Sequence, residues 1–337
     1  MKKINVGIAG LGRALDYNVP FIQKLADQYE IVAVYDTYGP RTEEIAKEYG
    51  AIACESYEQM LGMENVDLIL TLTPPKFHCE YVIKGLEAGK HVLTEKPMAL
   101  TAEECWKMVE VAKKSGKVLA VNHNHRYNGT MAFHVISDMA KKGTIGDLIY
   151  TSAKLFSGWG GYEGAPSYVK NWERNKEYGG GALFSWGPHL TDMMLNLHGA
   201  DPVSVYAVLS SKGWEFTGDC YTNMLLRFPD DVSAHIEIDY EADEDLRQFT
   251  VQGTCGRLEF LSIGEDMLAP GSLKLYQEGK EKELELPAVP PEVIYQKLYN
   301  TIANGAEPAI DPADIAKVIA VLEAAEKSNG SNQVVLL

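Results

Sequence analysis

The regular alternation of the first 121 residues constrains this chain more than any other feature. Short apolar runs at residues 4–9, 31–35, 66–72, 91–94 and 118–121 are separated by amphipathic stretches at 19–29, 42–49, 77–88 and 101–114. A strand that is apolar along its whole length must be covered on both faces, and a helix after each strand supplies the cover. The pattern therefore predicts a doubly wound parallel sheet. Gly50, Gly89 and Gly116 stand where three of these helices should end, as C-terminal glycines do.

The pattern changes after Val121. A helix is expected at 130–142, a strand at 148–156, a Gly-, Tyr- and Trp-rich stretch at 157–181 and a helix at 182–197. Runs rich in β-branched and aromatic residues follow at 203–209, 221–228, 233–239, 248–252, 257–260 and 273–276. Turn residues such as Pro229-Asp230-Asp231 and Gly253-Thr254 separate them. This reads as a mostly antiparallel sheet with helices on one face. Stretches 293–303 and 312–328 read as closing helices. A chain of 337 residues suits two domains. The expected division is 1–122 and 123–337, with the last helix packing back on the first domain.

Composition excludes several partners. There are 31 Lys and Arg against 47 Asp and Glu, a formal net charge of −16, and the basic residues form no stripe beyond pairs such as Lys113-Lys114 and Lys141-Lys142. Nucleic acid and anionic membrane are poor partners for such a surface. Cys54, Cys79, Cys105, Cys220 and Cys255 are widely spaced, odd in number and without a CxxC pair. They suggest reduced thiols in the cytoplasm, not a disulfide frame or a zinc site. Met1-Lys2-Lys3 before an apolar run faintly suggests a secretion signal, but Gly10-Leu11-Gly12-Arg13 interrupts that run, which therefore reads as a first strand. No apolar run approaches the ~20 residues that span a bilayer. The histidines lack HExxH-type spacing, so no metal is expected.

The first strand runs into Gly10-Leu11-Gly12. A dinucleotide pyrophosphate needs backbone N–H groups at close range and a helix N-terminus aimed at its charge, and glycines allow that approach. Gly10, Gly12 and the following Arg13 are the candidate contacts. The third position of the fingerprint falls on Leu15, so the motif is incomplete, and two glycines in a turn are ordinary by themselves. Asp36 strengthens the case. It ends the second apolar run, 24 positions after Gly12, where a carboxylate accepts hydrogen bonds from ribose hydroxyls and repels a 2′-phosphate. NAD is therefore favoured over NADP, with Arg41 close enough to complicate the preference; a turn residue is the alternative reading of Asp36.

Thr73-Pro74-Pro75 and Glu95-Lys96-Pro97 follow the apolar runs at 66–72 and 91–94, at strand ends where open α/β sheets bind ligands. Lys96 can hold a substrate hydroxyl and stabilise its alkoxide as hydride leaves. Pro97 biases Lys96 to an extended backbone that aims the side chain away from the strand end. A solvated surface lysine is the plainer alternative.

The segments Gly10-Leu11-Gly12, Asp36, Thr73-Pro74 with His78, and above all Gly89-Lys90-His91-Val92-Leu93-Thr94-Glu95-Lys96-Pro97 resemble the Gfo/Idh/MocA oxidoreductases. So does Gly179-Gly180-Gly181-Ala182-Leu183-Phe184-Ser185-Trp186-Gly187-Pro188-His189-Leu190-Thr191-Asp192, which looks like that family's active-site helix. The resemblance covers essentially the whole chain. It implies a Rossmann domain followed by an α/β domain whose large open sheet forms a homodimer or homotetramer. It also implies oxidation of a secondary alcohol on a sugar, cyclitol or related polyol, or the reverse. Carried over by position, Lys96 and His189 are the catalytic lysine and histidine. Thr73, Pro74, His78 and Glu95 line the cofactor crevice, and Asn122, Arg126 and Tyr127 face nicotinamide and substrate.

One departure stands out. The family places Asp four residues before the active-site His, and here that residue is Ser185. Positions i and i+4 share a helix face, so a carboxylate there could orient the imidazole, which a hydroxyl does weakly. Asp192 is a possible substitute. A lone His on a helix with Leu190, Met193, Met194 and Leu197 is equally compatible with a structural role, although imidazole suits a general base. The segment from Trp159 to Trp172, with Tyr162, Tyr168, Lys170 and Asn171, offers aromatic faces beside polar groups, as a carbohydrate requires. Trp172, Ser185, Arg126 and Tyr127 join Lys96 and His189 as candidate substrate contacts. The expectation is thus an NAD-dependent dehydrogenase of a sugar-like alcohol. Its rivals are a glycoside-cleaving enzyme that retains NAD through transient oxidation and elimination, and a non-catalytic sensor of dinucleotide and sugar.

Overall fold

A computed structural model describes residues 3–127, 131–158, 172–264 and 271–337. The backbone forms two compact units. Described residues of the first are 3–123 and 291–316; those of the second are 124–127, 131–158, 172–264, 271–290 and 317–337.

The first unit alternates strand and helix: β1 (Ile4–Ala9), α1 (Ala14–Lys24), β2 (Tyr29–Tyr35), α2 (Gly39–Tyr49), β3 (Ile52–Ala53), α3 (Tyr57–Leu61), β4 (Leu68–Thr71), α4 (His78–Glu87), β5 (His91–Thr94), α5 (Ala102–Ser115) and β6 (Leu119–Val121). Its six strands are all parallel, in the order β3-β2-β1-β4-β5-β6. The order reverses direction at β1, and the crevice beside such a switch point is where a Rossmann sheet takes its ligand. Val6, Ile8, Ile69, Val92 and Leu93 are buried, which explains why the strands lack polar alternation. Ser56 and Thr101 accept from the backbone N–H groups of Gln59 and Glu104, and so cap α3 and α5. The glycines at 50 and 116 end α2 and α5 in the left-handed conformation.

One expected element shifts substantially. The helix anticipated at 19–29 begins at Ala14, directly after the glycine turn, and residues 29–35 are strand. Pro20 suits a first turn yet lies inside α1, where its missing N–H leaves Asp16 O without its usual helical donor.

The second unit contains α6 (Phe133–Lys141), β7 (Leu148–Phe156), α7 (Ala182–Ser185), α8 (Gly187–His198), β8 (Ser204–Ser210), β9 (Tyr221–Arg227), β10 (Ser233–Asp239), β11 (Leu246–Gly253), β12 (Arg257–Ile263), β13 (Ser272–Gln277) and β14 (Lys280–Leu284). The chain continues as α9 (Val293–Asn304), α10 (Pro312–Ser331) and β15 (Val335–Leu336), with α9 in the first unit. The nine-stranded sheet has the order β14-β13-β12-β11-β7-β10-β9-β8-β15 and is antiparallel except where β10 lies parallel to β7. Alternate positions such as Ala153, Leu155, Met224, Leu226, Ile236 and Ile238 are buried on the side of α7 and α8. Intervening ones, including Val208, Leu225 and Ile263, are exposed. This period of two is the signature of a sheet covered on one face. The strand β14 was not anticipated: Lys280 to Leu284 is charged and exposed, as an edge strand is.

The helix expected at 182–197 is broken at Trp186. Pro188 cannot donate to Phe184 O, so the chain turns there and restarts as α8. No helix among the described residues is long and apolar enough to cross a membrane.

Candidate functional site

The glycine turn after β1 is built for close approach. Gly10 has φ +94°, and a Cβ there would meet the Leu72 and Thr73 backbone at 2.7 Å, so glycine is required by its own chain. At Gly12 a Cβ would meet no protein atom within 4 Å. Leu15, in the position of the third small residue, is 1% exposed and packs into the core instead. The Arg13 guanidinium donates to the Tyr17 hydroxyl through Nη2 at 2.9 Å.

Asp36 closes this turn. Its Oδ2 accepts the Leu11 N–H at 2.7 Å and its Oδ1 accepts the Tyr38 N–H at 2.9 Å. The carboxylate is thereby fixed, with lone pairs to spare on both oxygens. Arg41 donates from Nε to Leu11 O at 3.1 Å and pairs with Glu44 at 3.0 Å.

The carboxyl ends of β4, β5 and β6 bring Thr73, Pro74, Glu95, Lys96 and Asn122 into the same unit as the glycine turn. His78 is fully buried. Its Nδ1 lies 2.8 Å from Pro97 O and its Nε2 2.7 Å from Thr73 O, so it ties the loop after β4 to the loop after β5. Burial pushes its imidazole below the ordinary range, and the Pro97 and Thr73 carbonyls oppose that shift. The Lys96–Pro97 peptide bond is cis. The Lys96 N–H donates to Glu95 Oε2 at 3.2 Å, and Glu95 Oε1 accepts amide N–H groups from Asn18 and Asn122, each at 2.8 Å. Thr73 Oγ1 and Asn122 Oδ1 are buried with no hydrogen-bond partner among the described residues. Two orphaned polar atoms and an open glycine turn at the switch point are what a dinucleotide would complete, so these residues fit such a group.

In the second unit, the short 3₁₀ turn Asn124–Arg126 packs against α8. Arg126 grips Asp192 through two bonds, Nε to Oδ2 at 2.6 Å and Nη2 to Oδ1 at 2.5 Å, with side chains 9% and 2% exposed. The His125 ring meets the His189 ring edge-on at 4.2 Å between centroids, and Trp186 lies 4.9 Å from His125 and 5.5 Å from His189. Sequence reasoning gave His125 no role. Ser185 is the last residue of α7, one residue before the break. Burial and the charge on Asp192 raise the Tyr127 phenol, with Arg126 opposing them.

Asp219 anchors the start of α7. It accepts the Leu183 N–H at 3.0 Å and the Thr222 hydroxyl at 2.5 Å, its carbonyl accepts the Ala182 N–H, and burial pushes its carboxyl up to about 6. Gly181, at φ +112°, packs so tightly here that a Cβ would meet Asp219 Oδ1 at 2.3 Å. Trp172 opens a 3₁₀ turn, and Arg174 stacks over Phe216 at 4.6 Å. Trp159, Tyr162, Tyr168, Lys170 and Asn171 lie outside the described residues. Among the described residues no group of three or more His, Cys, Asp or Glu could hold a metal ion.

Asn18 and Tyr295 also escaped the sequence reading. Asn18 carried a signal, being a polar residue on the apolar side of a helix. Tyr295 carried none, because its partner lies 277 residues away.

Residues 4–123 match a family described as "Oxidoreductase family, NAD-binding Rossmann fold", and residues 133–259 match the "GFO/IDH/MocA C-terminal domain". A solved "NAD-binding protein" from Listeria innocua is 30% identical, with 99% of this chain and 97% of that one covered and a TM-score of 0.83. D-glucoside 3-dehydrogenase of Escherichia coli is 30% identical over 203 residues, 58% of this chain and 54% of that protein. The chain thus spans about half the length of that relative and of others like it. 1,5-anhydro-D-fructose reductase of Ensifer adhaerens is 28% identical over 307 residues, with 88% of this chain and 89% of that protein covered.

Proposed function

The chain belongs to the Gfo/Idh/MocA family of oxidoreductases, and from that premise we propose that it transfers a hydride between a nicotinamide dinucleotide and a secondary alcohol or ketone of a sugar, cyclitol or glycoside. The observation that carries this reading is the first unit's strand-end cluster. It combines an open glycine turn, a fixed Asp36, two orphaned acceptors at Thr73 and Asn122, and Lys96 beside a carboxylate held by amides.

The bound dinucleotide supplies the hydride acceptor or donor; the chain supplies position and charge. Gly10, Gly12 and Arg13 take the phosphates, and Asp36 takes the adenosine ribose. A fixed carboxylate repels a 2′-phosphate, and Arg41 is engaged by Leu11 O and Glu44, so NAD is favoured over NADP. His189 accepts the substrate hydroxyl proton at a ring nitrogen, and Lys96 stabilises the alkoxide by its positive charge. Arg126 is engaged by Asp192, which leaves it the role of holding the 124–126 turn against α8. Tyr127, Trp172 and Ser185 remain candidate substrate contacts. The exposed face of the nine-stranded sheet, with Val208, Leu225 and Ile263, is the surface through which two or four copies would associate, in the cytoplasm.

The test is a panel of polyols and glycosides with NAD, followed at the nicotinamide absorbance. Lys96→Ala should lose at least about a hundredfold in kcat while binding NADH as the wild type does. Full activity in that variant removes Lys96 from the mechanism. The similarity to a glucoside 3-dehydrogenase favours one second reading, cleavage of a glycoside by transient oxidation and elimination with the hydride returned. In that case aglycone accumulates and NADH does not.

A further inference from the structure

The carboxylate beside Lys96 sits at the end of a hydrogen-bond chain that begins in α9. Glu95 Oε1 accepts from Asn18 Nδ2 and Asn122 Nδ2, each at 2.8 Å. A carboxylate can only accept, so both amides must turn their NH2 groups toward it. That choice fixes the rest. The Asn18 carbonyl oxygen now points away from Glu95, where it accepts from Asn122 Nδ2 at 3.2 Å and from the Tyr295 hydroxyl. The second Asn18 N–H goes to Ala14 O at 2.7 Å. Asn18 therefore has no freedom to flip while Glu95 is charged and Tyr295 donates.

Tyr295 is suited to that task. It is 1% exposed, and burial together with the Glu95 charge holds its hydroxyl well above the ordinary phenol range, so it remains a donor. Its backbone carbonyl accepts the buried Tyr29 hydroxyl at 2.8 Å, which fixes the start of α9 to β2. The segment that delivers it lies beyond residue 259, outside both family matches. The chain of bonds ends in two acceptors: Glu95 Oε2, which takes the Lys96 N–H, and the orphaned Asn122 Oδ1.

We propose that Asn18 and Tyr295 are positioning residues of the dinucleotide site, holding Glu95, and with it the Lys96 backbone, in one orientation for the cofactor. The proposal rests on the reading of the first unit as the cofactor site. Without the Tyr295 hydroxyl, Asn18 Oδ1 keeps only the longer bond from Asn122, and the amide that donates to Glu95 is held less firmly. Without Asn18, Glu95 loses that donor permanently and an apolar group faces the carboxylate.

The test is NADH titration of the purified protein, with thermal melting of each variant. Tyr295→Phe keeps the ring and removes only the hydroxyl. It should weaken NADH about tenfold, and Asn18→Leu about a hundredfold. Tyr299→Phe is the control: this residue is buried in the same helix and packs edge-on against Tyr29 at 5.9 Å. It should alter the melting temperature alone and bind NADH as the wild type does. Folded Tyr295→Phe protein with wild-type NADH affinity overturns the proposal, as does an equal loss of affinity in Tyr299→Phe. Wild-type protein that binds neither NADH nor NADPH overturns the cofactor reading itself, a pattern distinct from the other two.

Discussion

The end of β5 and the start of α8 both bring polar side chains into apolar surroundings, and they stabilise them by different chemistry. Around Glu95 the partners are neutral: two asparagine amides and a backbone N–H, backed by a tyrosine hydroxyl. On the helix of His189, whose ring meets those of His125 and Trp186, the fixed element is a full ion pair, Arg126 with Asp192. Neutral donors orient a carboxylate without pairing it with a cation. An ion pair cancels both charges and turns them into a clamp. The first region therefore keeps an oriented carboxylate, as the proposed cofactor site requires, and the second holds one turn in place.

The largest effect should come from breaking the clamp. Arg126→Met leaves Asp192 charged and 1% exposed, and should destabilise the protein by about 3–5 kcal/mol in denaturant melts. The double variant Arg126→Met, Asp192→Leu should recover most of that loss, because no charge is then stranded. A single variant as stable as the wild type would mean that Asp192 finds another partner and that the two regions do not differ as described.

How much of this could be read beforehand depends on how local each feature is. The parallel sheet was legible because five apolar runs carry it without help from distant residues, and the placement of Gly10, Asp36 and Lys96 just past strand ends was legible because those same runs show where the strands stop. The break at Trp186 follows from Pro188, the seventh residue of the expected helix, whose effect the pattern of 182–197 did not register because it depends on a carbonyl four residues back. The start of α1 was displaced for a similar reason at Pro20. The clamp was half visible: Asp192 was read as a possible substitute for the carboxylate missing at Ser185, but pairing it with Arg126 requires knowing that a turn 66 residues earlier returns to α8. Asn18 with Tyr295 is the extreme case, since no sequence periodicity connects the two.

A middle-sized effect should appear in acid, and in the second region's helix. His198 stacks on Phe228 at 4.0 Å and bonds Thr151, and burial depresses its imidazole from 6.5 to about 4. A folded value below the unfolded one means that the unfolded chain binds the proton first. The stabilisation is therefore complete above pH 6.5 and is lost as pH falls toward about 4. After allowance for partial solvent exposure it is on the order of 2 kcal/mol. His198→Gln should flatten that part of the stability curve; an unchanged slope would assign the acid sensitivity to the other buried imidazoles, His78 included.

The smallest effect tests whether the first region really uses charge and not only shape. Asp36→Asn keeps an oxygen to accept the Leu11 N–H and gives up the acceptor for the exposed Tyr38 N–H, so the glycine turn should retain its form. What it loses is the negative charge, and with it the repulsion of a 2′-phosphate. Affinity for NADH should fall about tenfold, and affinity for NADPH should hold or rise, as measured by parallel titrations. A shift in that ratio without a change in melting temperature marks Asp36 as a ribose contact. If both affinities stay put while the protein melts earlier, Asp36 is a turn residue that serves Leu11 and Tyr38 alone, and binding in the first region would rest on the amide-held carboxylate and the glycine turn.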